Sequence, residues 1–325
     1  MAAKAWTRRA LLSGLAGAGL AGAADAPERL PSEAYAYADP ATESTVLRLT
    51  DPSTKSYLPP AAARFVSRNR GFLFYLSERT GAPQAYRMSL RTGESDRLTA
   101  AERLHASSLT LTPDERALCY LDGPALWSMN LSNRRLRALY RIPEEWEFGR
   151  GFCLSSDGRT AAITESKERS FRLRLLDIRS GEARTLVESE APHSDPLFRP
   201  RAAQVLHRRG ESEIWLIGHD GRDYRRLKLA PGGVGPVYWS AGGESVLYLS
   251  FPKEKKLNAI REHVPESGED RLVAETSQFA SFSPDGDASV FVGASANRAS
   301  PHVLLLLRAS RREMTLCEHR ASDPA

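Results

Sequence analysis

Cysteine is scarce in this sequence of 325 residues. The three cysteines, Cys119, Cys153 and Cys317, are an odd number with no short spacing between any two. This distribution argues against a cysteine metal site and favours free thiols inside strands. No apolar run inside the chain approaches the roughly 20 residues that a transmembrane helix requires. The sequence therefore predicts neither a cysteine-bound metal nor an internal membrane span.

A strong excess of one charge is also missing. The chain has 45 basic and 40 acidic residues, a net charge of +5. Its first 26 residues carry three of the basic side chains and Asp25, so the rest of the chain has a net charge of +3. Proteins that bind nucleic acid concentrate positive charge on one face or stretch. We therefore exclude nucleic acid as a partner.

Residues 1–26 have the composition of an export signal. Lys4, Arg8 and Arg9 precede a weakly hydrophobic run over residues 10–24, and small residues at Ala24 and Ala26 suit a signal peptidase. The sequence TRRALL at residues 7–12 resembles a twin-arginine signal, with an ordinary secretory signal as the alternative. We expect a bacterial periplasmic or secreted protein that starts near Pro27 and has no membrane contact after cleavage.

One phrase recurs along the remaining chain. Its clearest copy is FSPDG at residues 282–286, where a strand ends in a Pro-Asp-Gly turn before a second alternating strand. Proline presets φ at the first turn position, and we expect Gly286 to take the left-handed one. Equivalent turn positions are residues 70, 115, 158, 202, 243 and 286, with steps of 41 to 45 residues.

This repeat predicts an all-β fold, a β-propeller built of four-stranded blades of about 43 residues. A β-sandwich would not keep so regular a step, and period-two alternation excludes helical repeats. Six units are recognisable within a propeller domain over residues 45–325, after a flexible arm over residues 27–44. Residues 45–50 read as a lone strand, so we expect either a six-bladed ring or an open ring whose last blade is incomplete.

The chain resembles the oligogalacturonate lyase family, seven-bladed propellers related in repeat style to TolB. The likeness covers roughly residues 45–323. It rests on the order of several weak motifs: VLRLTDP at 46–52, PEEWEFG at 143–149, LFRP at 197–200, IWLI at 214–217, VYWS at 237–240, FVG at 291–293 and LCEH at 316–319.

The resemblance implies a lyase that cleaves short oligogalacturonides from pectin by β-elimination, with histidine-bound Mn²⁺ and an arginine base. Here the position of the basic arginine holds Glu213, and two histidine positions hold Pro236 and Gln278. The remaining family metal ligands correspond to a segment beyond Ala325. We therefore expect no cofactor and a catalytically degenerate site, with no catalytic residue assigned.

Six residues remain candidates for binding an acidic saccharide at one mouth of the ring. Arginines would bind a carboxylate through bidentate hydrogen bonds, and tryptophans would stack on a sugar ring. The candidates are His193, Arg199, His207, Arg208, Trp146 and Trp239. The alternative interpretation makes Arg199 a structural contact between blades and Trp239 a core residue.

Three hypotheses follow from the sequence. The chain is a degenerate member that binds acidic oligosaccharide, an active lyase with a rebuilt site, or a TolB-like module that binds a protein partner. No nucleophile elbow, phosphate-binding glycine loop or HExxH helix supports another reaction class.

Overall fold

The computed structural model describes residues 28–60, 63–254, 257–297 and 299–321. The expected export signal lies outside the described residues. In the described part of the chain, no helix has the length and apolar character needed to cross a membrane. Almost all regular structure is β-strand, which confirms the predicted all-β class.

The first half of the chain forms an N-terminal segment and two small sheets. Its strands are β1 (Arg29–Leu30), β2 (Tyr35–Ala38), β3 (Thr45–Arg48), β4 (Ser56–Tyr57), β5 (Phe72–Ser77), β6 (Gln84–Ser89), β7 (Ser95–Arg97), β8 (Thr110–Leu111), β9 (Ala117–Asp122), β10 (Ala125–Asn130) and β11 (Leu136–Arg141). A 3₁₀ turn at Ala106–Ser108 precedes β8.

The second half forms four more strand groups. Its strands are β12 (Glu147–Leu154), β13 (Thr160–Lys167), β14 (Ser170–Asp177), β15 (Ala183–Ser189), β16 (His193–Phe198), β17 (Gln204–Arg209), β18 (Glu213–Gly218), β19 (Arg225–Arg226), β20 (Gly233–Trp239), β21 (Val246–Phe251), β22 (Asn258–His263), β23 (Asp270–Thr276), β24 (Phe279–Pro284), β25 (Val290–Ser295), β26 (His302–Leu307) and β27 (Arg312–Glu318).

These strands form six antiparallel blades, which confirms the predicted β-propeller. Blades 1 to 6 are β4–β7, β8–β11, β12–β15, β16–β19, β20–β23 and β24–β27. Blades 3 and 4 share one eight-stranded sheet, because β12 pairs with β16 in parallel through Arg150 and Ser194. The other blades meet mainly through side chains, although the Leu111 amide of blade 2 donates to the carbonyl of Arg64 in blade 1 at 2.7 Å.

Hydrophobic clusters lie between consecutive blades. Buried residues of blade 1 pack on those of blade 2, and the same holds for each later pair up to blades 5 and 6. A further cluster joins blade 1 to Leu30 and Leu49 of the N-terminal segment. Each sheet therefore buries its apolar side chains against a neighbour, as radial packing requires.

The N-terminal segment differs from the expected flexible arm. Strand β1 pairs with β7 at the edge of blade 1, and β2 pairs with β3 in a two-stranded hairpin. The hairpin also reaches blade 6: Thr42 Oγ1 donates to the carbonyl of Leu316 at 2.9 Å, and the Glu318 amide donates to Asp39 Oδ2 at 2.8 Å. Extended backbone with polar edge groups gains hydrogen bonds by joining a sheet, which the Pro/Ala-rich composition did not reveal.

The recurring turn is present in all six blades, and its left-handed position is close to the predicted one. The residues with positive φ there are Gly71, Glu115, Gly158, Arg201, Gly243 and Ala288. In blade 6 the prediction is wrong, because Ala288 (φ 53°) takes the left-handed conformation and Gly286 does not. Asp285 accounts for the shift: its Oδ1 accepts the amides of Ser289 and Val290, at 2.7 and 3.1 Å.

Candidate functional site

The main candidate site is a cavity of about 700 Å³ bounded by the first strands of blades 3 to 6. This volume is in the range of ligand pockets. The lining residues on those strands are Arg150, Gly151, Phe152, Asp195, Pro196, Leu197, Pro236, Val237, Tyr238, Ser281, Phe282 and Ser283. Most of the wall is apolar, and the charged groups among its described lining residues come from blades 3 and 4.

Of the described residues, three charged ones line this cavity: Arg150, Asp195 and Arg208. The pairing of Arg150 with Ser194 brings β12 and β16 together, so Arg150 and Asp195 lie on adjacent strands. Close approach at this point depends on Gly151, because a Cβ there would meet Pro196 Cδ at 2.3 Å. The backbone of blades 3 and 4 thus gathers the charges at one side of the cavity.

Arg208 is committed to structural contacts. Its Nε donates to Asp195 Oδ2 at 3.1 Å, and its Nη atoms donate to the carbonyls of Glu211, Val234 and Gly235 at 2.9, 2.8 and 2.7 Å. These bonds tie blade 4 to blade 5 and use most of the guanidinium donors.

Arg150, in contrast, forms no ion pair or side-chain hydrogen bond with another described residue and is exposed. Among the described lining residues it is the cation that has no partner. It is not among the six residues that the sequence predicted for the site. The available signal was its place directly after the PEEWEFG motif, in the first strand of a blade.

His193 and His207 lie together beneath this region but are sealed from solvent, at 3% and 0% exposure. Their ring centroids are 4.9 Å apart, and His207 also stacks on Tyr224. Burial lowers the pKa of His193 to about 4 and that of His207 to about 3. Both rings are therefore neutral near pH 7 and are packing elements that a sugar does not reach.

The hydrogen bonds of the two histidines fix their tautomers. His207 Nδ1 lies 3.3 Å from the Arg208 carbonyl, which can only accept, so Nδ1 carries the hydrogen. Ser189 Oγ donates to the Ala191 carbonyl and so accepts from His193 Nε2 at 3.1 Å. His207 Nε2 and His193 Nδ1 are thus lone pairs, and neither has a partner among the described residues.

Arg199 forms structural contacts between blades 4 and 5, in agreement with the alternative interpretation of the sequence. Its Nε donates to the Gly243 carbonyl at 2.7 Å, and its Nη1 contacts Gln204 Oε1 and Glu266 Oε1 at 2.8 and 2.5 Å. The guanidinium also lies 5.1 Å from the ring centroid of Trp239. Arg199 and Trp239 do not line the 700 Å³ cavity; Arg199 borders a separate one of about 170 Å³.

Trp146 is covered on one face by a buried ion pair. The Arg172 guanidinium stacks 3.6 Å from the Trp146 ring centroid, and Arg172 Nε donates to the buried carboxylate of Glu165 at 2.7 Å. That face of Trp146 is closed to a sugar ring.

Of the three positions where the family motif is not kept, one lines the cavity. Pro236 does so and offers no donor. Glu213 precedes the lining residue Ile214, so strand alternation places it on the opposite face, where it pairs with Arg226 and accepts from Trp215 Nε1. Gln278 Oε1 is buried without a hydrogen-bond partner among the described residues.

Comparisons with known proteins identify relatives of this chain. It is 22% identical over 299 residues to oligogalacturonate lyase of Dickeya dadantii, covering 83% of the chain and 77% of the relative. It is 21% identical over 294 residues to oligogalacturonide lyase of Pectobacterium atrosepticum, covering 82% and 76%. No protein-family model matches the chain.

Solved structures show the shared fold. An oligogalacturonate lyase in complex with manganese superposes with a TM-score of 0.86 at 21% identity, covering 91% of this chain and 87% of that one. TolB from Acinetobacter baumannii superposes with a TM-score of 0.54 at 15% identity, covering 80% and 66%. The family relation predicted from the sequence is confirmed.

The residues present do not fit manganese. Among residues 28–60, 63–254, 257–297 and 299–321, no group of three histidine, cysteine or carboxylate side chains could hold a metal ion. The His193–His207 pair has no third ligand of this kind, and Mn²⁺ favours a fuller shell of carboxylate, carbonyl and water oxygens.

Proposed function

Because the chain is related to the oligogalacturonate lyases, we propose that it binds acidic saccharide in the 700 Å³ cavity without catalysing β-elimination. Arg150 carries this proposal. It is a cavity-lining cation without a partner among the described residues, and a uronate carboxylate supplies the complementary charge.

The absence of catalysis rests on the residues at the family positions. Glu213 neutralises Arg226 at 2.8 Å, so its carboxylate is engaged away from the cavity. Pro236 and the amide of Gln278 cannot hold a proton at neutral pH. None of these three positions thus supplies a base to take the proton beside a uronate carboxylate.

Calorimetric titration with trigalacturonate in the presence of EDTA tests this function. We expect binding by the wild-type protein, no binding of neutral trigalactose, and loss of trigalacturonate binding in Arg150→Ala. Arg199→Gln is the matched control, since it removes an arginine that does not line the cavity and should keep the affinity. Binding that survives Arg150→Ala unchanged would contradict the proposal.

Adding Mn²⁺ to the same mixture of protein and trigalacturonate distinguishes a protein that only binds the sugar from an enzyme that cleaves it. We expect no growth of the ultraviolet absorbance that an unsaturated uronate product gives. Product formation would instead support an active lyase with a rebuilt site. Retention of a protein partner without any sugar binding would support an interaction module.

We also propose export to the periplasm or the medium, on the composition of residues 1–26. Arg8→Lys together with Arg9→Lys should leave the protein unprocessed in the cytoplasm if the signal is of twin-arginine type. Unchanged processing of this variant would favour the ordinary secretory route.

A further inference from the structure

The cavity has two unlike ends. Among the described lining residues, the charged side chains come from blades 3 and 4, and beyond its first strand blade 6 contributes Val292, Gly293, Ala294 and Val303. Successive blades follow one another around the ring, so blade 6 lies across the cavity from blades 3 and 4. A cationic end therefore faces an apolar end.

The apolar end is the second face of the blade 6 sheet. Phe291, Leu304 and Leu306 point to blade 5 and are buried. The alternate residues lie on the opposite face, where Val292 pairs with Leu305 and Ala294 with Val303.

None of the blades formed by the described residues packs against that face. Val292 is 42% exposed, and Ala294, Val303 and Leu305 are only half-buried. In the described part of the chain, the hairpin β2–β3 reaches blade 6 only near Leu316 and Glu318.

A sugar alone does not suit this end of the cavity. Valine and alanine side chains cannot accept or donate hydrogen bonds, so hydroxyl groups placed there would lose their water without compensation. An alkyl or aryl group placed there would gain from burial. Ser281 and Ser283, on the first strand of blade 6, line the same cavity and supply hydroxyls for a polar ring between the two ends.

We propose that the cavity takes an amphipathic uronate, whose carboxylate meets Arg150 and whose apolar substituent lies on Val292, Ala294 and Val303. The inference rests on the proposed saccharide function and narrows its ligand class. The occupant is a uronic acid that carries an alkyl or aryl group, in preference to an unsubstituted acidic sugar.

Titration with three matched ligands tests this class: methyl galacturonide, hexyl galacturonide and hexyl galactoside. We expect the hexyl galacturonide to bind at least ~10-fold more tightly than the methyl compound, since several methylenes become buried. Hexyl galactoside lacks the carboxylate and should bind at least ~10-fold more weakly than hexyl galacturonide.

Two variants test which end of the cavity binds the alkyl group and which end binds the carboxylate. Val292→Asp should lower the ratio of hexyl to methyl galacturonide affinity, and Arg150→Ala should remove the preference for galacturonide over galactoside. Leu136→Asp is the control, because Leu136 is 49% exposed on β11 of blade 2, away from the cavity. It should keep both preferences, and circular dichroism should show all three variants folded.

The outcomes separate the two proposals. Equal affinity for the methyl and hexyl galacturonides would overturn the amphipathic ligand and leave acidic saccharide binding intact. Equal affinity for hexyl galacturonide and hexyl galactoside would overturn carboxylate recognition. Failure of every galacturonide to bind would overturn both proposals.

Discussion

At the scale of single residues, burial decides the role of the histidines. A histidine near an arginine in sequence is a reasonable sugar ligand, and His193 and His207 were chosen on that ground. The structure places both in a closed layer with Tyr224, where the cost of charging an imidazole exceeds any use as a ligand. Which face of a strand is sealed depends on the neighbouring blade, so the sequence could not decide it.

These histidines make stability depend on pH. Their pKa values are about 4 and 3 in the folded protein, against an ordinary value of 6.5. The unfolded chain therefore binds more protons between pH 6.5 and about 4. The contribution of the two neutral rings to the free energy of unfolding is complete above pH 6.5. It is lost as the pH falls towards 4, at up to about 1.4 kcal/mol per pH unit for each ring.

Urea unfolding at pH 5.0, 5.5, 6.0 and 7.0 measures the slope of the free energy of unfolding against pH. His207→Phe should reduce the slope by up to about 1.4 kcal/mol per pH unit over that range. Tyr224→Phe is the control: its hydroxyl is buried without a hydrogen-bond partner in the described part of the chain, and burial raises its pKa, so the slope should stay as in the wild type. An identical slope in His207→Phe and wild type would refute the assignment.

At the scale of elements, the turn repeat was predictable because local chemistry sets it. Aspartate, serine or glycine occurs in this tight turn in every blade except blade 4, and Glu115, Gly158 and Gly243 take the predicted left-handed position. Blade 6 departs from the pattern because Asp285 caps two later amides and moves that position to Ala288. A competing side-chain hydrogen bond therefore overrode the glycine preference.

Two glycines of this repeat should respond oppositely to alanine. Gly243 has φ +80°, and a Cβ there would lie 2.5 Å from the Pro200 carbonyl oxygen, so Gly243→Ala should destabilise the protein by more than about 1 kcal/mol. Gly286 has no positive φ, and a Cβ there would meet no atom within 4 Å, so Gly286→Ala should be neutral or slightly stabilising. Thermal unfolding of both variants checks the pair, and equal losses would contradict it.

At the scale of the whole molecule, the repeat predicted the architecture but not how the N-terminal segment meets the last blade. The step of 41 to 45 residues indicates radial blades, whereas the hairpin β2–β3 that contacts blade 6 had no repeat signal. Arg150 was missed for a similar reason. Its lack of a partner among the described residues is a property of the assembled cavity, which its place directly after the PEEWEFG motif does not reveal.

Asp39 connects the hairpin to blade 6. It accepts the amides of Ala41, Thr42 and Glu318, and the Glu318 amide above all holds the pKa of this carboxyl below its ordinary value. Asp39→Ala should therefore speed hydrogen exchange at Glu318 and along β27. Asp51→Ala is the control, since Asp51 caps Ser53 without touching blade 6. Unchanged exchange in Asp39→Ala would show that other contacts hold the hairpin.

The parallel pairing of β12 with β16 also makes the cavity unequal in stiffness. Blades 3 and 4 share backbone hydrogen bonds, so the wall that carries Arg150 belongs to one continuous sheet and should move as a rigid unit. Blade 6 has side-chain packing on one face and the narrow hairpin beyond its outer strand. An incoming molecule would thus find a charge at a fixed position and an apolar wall free to adjust, so selectivity should be strict for the acid group and permissive for the size of the apolar one.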